Sequence, residues 1–219
     1  MVDIGWFQWI NALAVATPWL HASLYDYATY GPVLFAALLA AGWWVARRQG
    51  QAPTMAAAAW APVATVVAVG LNQPIVAAVD EPRPYTILPH MLVLAQRSSD
   101  PAFPSDHAVM AGAVAAGVLL VSRRVLAWLA VLAALVLAFA RVYIGAHYPH
   151  DVAAGLLLGA VITLVGWWAL RGVLTRLVAW LAGTRLRPLL TAGPASDETT
   201  RNDPSSASSA VAGSASGMR

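Results

Sequence analysis

The sequence predicts an all-α fold, an integral membrane bundle of about six transmembrane helices. Three observations lead there. Of 219 residues, 59% are hydrophobic and the mean hydropathy is +0.65. Charged residues make up only 11%, less than half the roughly 25% of a soluble domain. Apolar runs also recur along the chain at lengths that suit a hydrocarbon core of about 30 Å.

The first run, near 4–20, is interrupted by Asn11 and Pro18. It either spans the membrane or lies at the interface as an amphipathic or re-entrant helix. It follows Asp3 without a basic start, so it is not expected to be a cleaved signal. Runs near 30–46 and 55–79 come next, and Pro62 and Pro74 inside the latter favour a kink that membrane helices tolerate. Runs near 105–122, 125–143 and 151–170 complete the bundle. From Thr191 to Arg219 the composition shifts to Ser, Ala and Gly, which cannot bury enough apolar area to fold. The organisation is therefore a membrane domain over 1–190 and a disordered cytoplasmic tail over 191–219.

All thirteen basic residues are arginine, and the isoelectric point is near 9.7. They stand in pairs between apolar segments rather than along one face, so they set membrane orientation and imply no nucleic-acid partner. Arg47-Arg48, Arg123-Arg124 and the group Arg171, Arg176, Arg185 and Arg187 fall on one side, while 80–104 and 141–150 fall on the other. The positive-inside rule makes the first side cytoplasmic in a multi-pass protein of the cell inner or plasma membrane. The absence of cysteine excludes disulfides, thiolate catalysis and Cys-ligated metals.

The polar residues on the opposite side are of particular types. Arg83-Pro84 lies in a stiff loop, Pro104-Ser105-Asp106-His107 opens a helix, and Arg141, His147 and Asp151 form an R-x5-H-x3-D pattern. Two histidines, two arginines and a carboxylate meet the needs of phosphoryl transfer through a histidine: a nucleophile, a proton donor, an orienting group and fixed positive charge. Ser105 is placed to cap its helix, whose free N–H groups attract an anion. Asp151 is placed to reach back to Nδ1 of His147, leaving Nε2 as the nucleophile. His150, adjacent and no less reactive in isolation, reads as an ordinary polar residue at a wet helix end, and Arg141 suits a helix C-terminus without any function.

These residues resemble the type 2 phosphatidic acid phosphatase superfamily of integral membrane lipid phosphatases, whose signature is K-x6-R-P, P-S-G-H and S-R-x5-H-x3-D. The resemblance covers about 76 to 151. The Ser-Asp-His form and the stretch from Arg141 to Pro149 look most like the bacterial undecaprenyl-diphosphatase branch. Three positions depart from the pattern: Val76 stands for the lysine, Asp106 for the glycine and Ala140 for the serine. Asp106 is similar to what the polyprenyl-diphosphatase branch carries. Val76 removes a phosphate ligand, and Arg97 is the nearby cation able to compensate.

The resemblance implies a site on the extracytoplasmic face. His147 attacks the terminal phosphorus, Asp151 stabilises the imidazolium, and His107 protonates the leaving oxygen. Arg83, Arg141, Ser105 and Asp106 form the phosphate site. No cofactor is implied, and the crowded arginines disfavour a metal. The expected substrate is a polyprenyl diphosphate of the undecaprenyl type, cleaved to the monophosphate and phosphate in cell-wall carrier recycling. The alternatives are a phosphatidate or phosphatidylglycerol-phosphate phosphatase, and a catalytically weakened lipid-binding member.

Overall fold

A computed structural model describes residues 3–122 and 124–192. Every regular element among the described residues is helical. Helix α1 (Ile4–Ala16) leads through a 3-10 turn at Pro18–Leu20 into α2 (His21–Gln49) and α3 (Ala52–Val79). A short α4 (Pro84–Ile87) precedes a long extended loop, followed by α5 (Asp106–Val121), α6 (Val125–Tyr143), α7 (Pro149–Ala182) and a short α8 (Arg187–Leu190).

The breaks follow local chemistry. Helix α2 stops at Gly50, whose left-handed φ of 64° suits a residue without Cβ. Helix α3 starts with Pro53 in its first turn and runs unbroken through Pro62 and Pro74. Pro149 opens α7, where its missing N–H costs nothing. The tail expected over 191–219 lies, from residue 193 onward, outside the described residues.

Among the described residues, four helical stretches are long and apolar enough to cross a membrane: Pro18–Gln49, Ala52–Ile87, Val125–Tyr143 and Pro149–Ala182. The expected count of about six is not met by length, because α1 and α5 have 13 and 16 residues. Helix α5 needs little lipid-facing surface. Eleven of its sixteen residues are buried, and it packs against α2, α3, α6 and α7.

That central position requires small residues. A Cβ at Gly112 of α5 would collide with the Leu156 carbonyl of α7, and one at Gly159 of α7 with the Val109 carbonyl of α5. The two backbones therefore touch, as small residues allow in membrane bundles. Trp60 Nε1 donates to the Thr163 carbonyl at 3.0 Å and ties α3 to the same helix.

At one end of the bundle Ala46, Met55, Val121 and Val178 share a core cluster. There Arg47 Nε donates to Pro188 O at 2.7 Å, docking α8 on α2. The loops that carry the candidate residues lie at the opposite end. Asn11 holds them in place: its amide donates to Leu92 O at 2.8 Å and accepts from Leu92 N at 3.1 Å. Leu94 N and Ala95 N both donate to Ile144 O at 3.0 Å.

Candidate active site

At that loop end a cavity of about 650 Å³ is lined by Arg83, Asp106, His107, Arg141 and His147, with Gln73, Val76 and Arg97 completing its wall. Five of the seven residues expected at the site thus meet on one surface. The other two, Ser105 and Asp151, are fully buried.

His147 sits in the turn between α6 and α7 and is 3% exposed. Its Nδ1 lies 2.9 Å from the Ala102 carbonyl. A carbonyl only accepts, so Nδ1 carries the proton and Nε2 the lone pair. Nε2 accepts from Arg141 Nη2 at 3.2 Å and Arg83 Nη1 at 3.4 Å. Burial, then the charges of Arg141 and Arg83, hold this imidazole well below its ordinary value of 6.5, although the Ala102 bond and Asp106 act in the other direction. The result is a neutral, buried imidazole with its lone pair turned toward two guanidiniums.

Asp151 does face Nδ1 as expected, but at a distance longer than the Ala102 bond. Asp151 Oδ2 stands 3.4 Å from Nδ1, and its short bond is the one it accepts from Tyr148 N at 2.8 Å. A carboxylate at the third residue of α7 is drawn to the free N–H at the helix start. The backbone of Ala102 therefore sets the tautomer, while Asp151 stands behind the ring.

Arg83 is fixed by main chain. Its Nε donates to Asp100 O at 2.7 Å and its Nη1 to Ala146 O at 3.1 Å. Arg141 emerges from the last turn of α6, and its buried Nε has no hydrogen-bond partner.

Ser105 occupies the N-cap position of α5, yet its side chain makes no capping bond and its Oγ is buried without a partner. The expected side-chain cap is thus absent. Ser105 N instead donates to the Asp151 carbonyl at 3.2 Å, joining the starts of α5 and α7. Asp106 Oδ1 accepts from Asn72 Nδ2 at 2.7 Å and Gln73 Nε2 at 2.9 Å. This carboxylate forms part of the cavity wall and brings no donor to it. His107, one residue on, is half-buried and faces the cavity.

Sequence reasoning passed over Asn72, Gln73 and Ala102. The first two were visible as a polar pair interrupting the apolar run of α3; the third acts through its backbone and leaves no sequence signal. Arg97 does line the cavity alongside Val76. Its guanidinium lies 5.7 Å from the centre of the Tyr85 ring, and Tyr85 Oη bonds both Ser98 N and Ser98 O. His150 lies outside the cavity wall, bonded to Asp3 and Glu81. The cavity itself, dominated by guanidinium groups, suits an anion, and the metal-ligating types gather at His150 instead.

Known proteins resemble this chain in sequence and in fold. The chain is 29% identical over 167 residues to the bacitracin transport permease protein BcrC of Bacillus licheniformis, covering 76% of this chain and 80% of that one. It is 27% identical over 162 residues to the undecaprenyl-diphosphatase BcrC of Bacillus subtilis, covering 71% and 78%. An undecaprenyl-diphosphatase of Sulfolobus acidocaldarius is 34% identical over 83 residues, covering 38% of this chain and 40% of that one. The crystal structure of Aquifex aeolicus LpxE shares the fold with a TM-score of 0.57 and 24% identity, covering 75% of this chain and 94% of its own. The sequence profile of the PAP2 superfamily matches residues 57–175, more than half of the chain and all the cavity residues named above, and the chain belongs to that superfamily.

Proposed function

We propose that this protein is a membrane phosphatase that removes the terminal phosphate from a polyprenyl diphosphate of the undecaprenyl type. The observation that carries the reading is the pair of guanidiniums meeting at the lone pair of His147. Two fixed cations at a neutral imidazole form a cradle for a phosphoryl group with a nucleophile at its base. The names borne by the Bacillus subtilis and Sulfolobus relatives support the choice of lipid.

In the first step His147 Nε2 attacks the terminal phosphorus and the bond to the bridging oxygen breaks. His107 gives that oxygen a proton, and polyprenyl monophosphate departs. Negative charge on Asp151 offsets the positive imidazole as it forms. In the second step His107 takes a proton from water, the water oxygen attacks phosphorus, and the N–P bond returns its electrons to Nε2. Arg83 and Arg141 hold the equatorial oxygens throughout, with Ser105 at the same helix start. Asp106 braces the start of α5 through Asn72 and Gln73. The chemistry at phosphorus uses no metal, since the arginines supply the positive charge. Arg97 takes over the phosphate contact that Val76 cannot make.

The same reading places the cavity on the extracytoplasmic face, opposite the arginine-rich loops. It is tested by phosphate release from purified protein, without added metal, over a panel of polyprenyl diphosphates, phosphatidate and phosphatidylglycerol phosphate. Preference for the diphosphates supports it. Preference for a glycerophospholipid phosphate changes the substrate, and no release from any of them leaves a lipid-binding protein.

A further inference from the structure

Behind the cavity, on the far side of Asp151, a second constellation joins three separate parts of the chain. Asp3 precedes α1, Glu81 lies in the loop after α3, and His150 and Asp151 belong to the first turn of α7. Asp3 Oδ2 accepts from His150 N at 2.8 Å and its Oδ1 lies 2.9 Å from His150 Nδ1. A carboxylate only accepts, so the Nδ1 proton is directed at Asp3, and Nε2 is left to carry either a second proton or a metal. Yet Nε2 faces Glu81 Oε2 at 3.0 Å and Asp151 Oδ1 at 3.1 Å. Two carboxylate oxygens thus converge on one ring nitrogen, an arrangement held by positive charge at Nε2, from a second proton on the ring or from a metal ion.

We infer that Glu81, His150 and Asp151 form a divalent transition-metal site, of the class that takes zinc, that braces the catalytic histidine from outside the cavity. The three ligand atoms lie within 4.8 Å of one another. Bonds of about 2.0–2.2 Å in a tetrahedral array place ligand atoms roughly 3–3.5 Å apart, close to the two short edges observed. A proton on Nε2 serves one oxygen well and leaves the other. Asp151 Oδ1 is the atom left over: its side chain is fully buried and this oxygen accepts no hydrogen bond.

Other contacts suit a metal ligand. The bond from Nδ1 to Asp3 fixes the tautomer of His150, as an outer carboxylate commonly does for a ligating histidine. The ring is also held between Tyr148, stacked at 5.6 Å, and Phe103, tilted at 5.6 Å. The His150 side chain is 38% exposed, so water can complete the coordination from outside. One histidine with two carboxylate oxygens is borderline in hardness and suits zinc better than magnesium.

The connection to the reaction runs through the backbone. Glu81 O accepts from Ala102 N at 2.7 Å, and the Ala102 carbonyl fixes Nδ1 of His147. A metal gripping Glu81 and Asp151 therefore stiffens both groups behind the nucleophile. It touches no substrate.

Cobalt titration of the chelator-stripped, purified full-length protein provides the test, and no lipid enters the experiment, so its outcome stands whichever substrate the cavity takes. The wild type is expected to develop visible d–d absorption that saturates at a single equivalent and is displaced by zinc, with a higher thermal midpoint when loaded. Glu81→Gln and His150→Gln should each weaken binding by about tenfold or more, and Asp3→Asn by about 10–100-fold. If the wild type takes up no more cobalt or zinc than a folded Glu81→Gln/His150→Gln protein, and metal leaves its melting unchanged, Nε2 holds a proton and the inference is wrong.

Discussion

The Ala102 carbonyl accepts the Nδ1 proton of His147 at 2.9 Å, across 45 positions of sequence. The backbone of one loop thereby fixes which nitrogen of a buried imidazole is free. Where a carboxylate alone fixes the tautomer of a catalytic histidine, its amide replacement costs about 10⁴ in turnover. Here Asp151→Asn is expected to cost roughly 10–100-fold, because the ring keeps the tautomer that Ala102 sets and loses the support of the carboxylate behind it. His147→Ala should abolish turnover. His107→Ala should slow the reaction most for substrates whose leaving oxygen needs a proton, and His150→Ala should be milder than either. Rates in detergent with diphosphate and aryl phosphate substrates check the series; near-normal activity of His147→Ala would remove the phosphohistidine route.

A pH prediction follows from the same imidazole. Burial and the two arginines hold His147 below 6.5, so the nucleophile remains neutral as the solution becomes mildly acidic. The acid limb of kcat/KM assigned to this group should lie clearly below pH 6.5. For stability the sign is the following: from 6.5 down to the depressed native value, the unfolded chain binds the proton and the native one does not. The contribution of His147 is thus intact above 6.5 and is lost as pH falls through that window. Thermal midpoints of the wild type and His147→Asn, measured from pH 7.5 to 5, should converge toward the acid end.

Orientation is open to labelling, because the chain has no cysteine of its own. Ser98→Cys, in the exposed loop at the cavity, should react with an impermeant maleimide in intact cells. Gln51→Cys, exposed between α2 and α3 at the arginine-rich end, should not. The opposite pattern would turn the cavity toward the cytoplasm and end the carrier-recycling reading.

Val76 and Arg97 both line the cavity, which makes the missing lysine testable. Arg97→Ala should damage activity on diphosphates nearly as much as Arg83→Ala. Adding a cation by Val76→Lys should lower KM, by up to about 1–3 kcal/mol in binding when a charge-assisted bond forms. A neutral Val76→Lys together with a harmless Arg97→Ala would leave the position without a phosphate contact.

Vanadate imitates five-coordinate phosphorus and should inhibit in the presence of EDTA. The cleanest version uses Glu81→Gln, which lacks one ligand of the outer constellation. That protein should retain turnover and its inhibition by vanadate after chelation. Turnover that vanishes with EDTA and returns with a divalent ion, in this variant, would move the chemistry onto a metal.

Helices α3, α5 and α6 were legible almost to their ends as apolar runs near 55–79, 105–122 and 125–143. Helix α2 begins nine residues before the run near 30–46, because Tyr25, Asp26 and Tyr27 lower the local hydropathy without opposing a helix. The five expected residues that line the cavity stood out in the sequence because their chemistry is unusual at the ends of apolar segments. Partners acting through main chain were not. Ala102 offers a carbonyl that any residue would offer, and the pairing of Asp3 with His150 spans 147 positions that only folding brings together.

One feature of the cavity also governs what the protein does between turnovers. Both guanidiniums donate to the lone pair of His147, so on the proposed mechanism the attacking nitrogen is masked until substrate arrives. A phosphate arriving in the cavity offers oxygens to the same N–H groups, and each bond given up at nitrogen is replaced at oxygen. Exposure of the nucleophile and capture of its target are thus one exchange of partners. Chemical modification of His147 by a neutral acylating reagent should accordingly be slow in the free protein, a form of selectivity that precedes any recognition of the lipid chain.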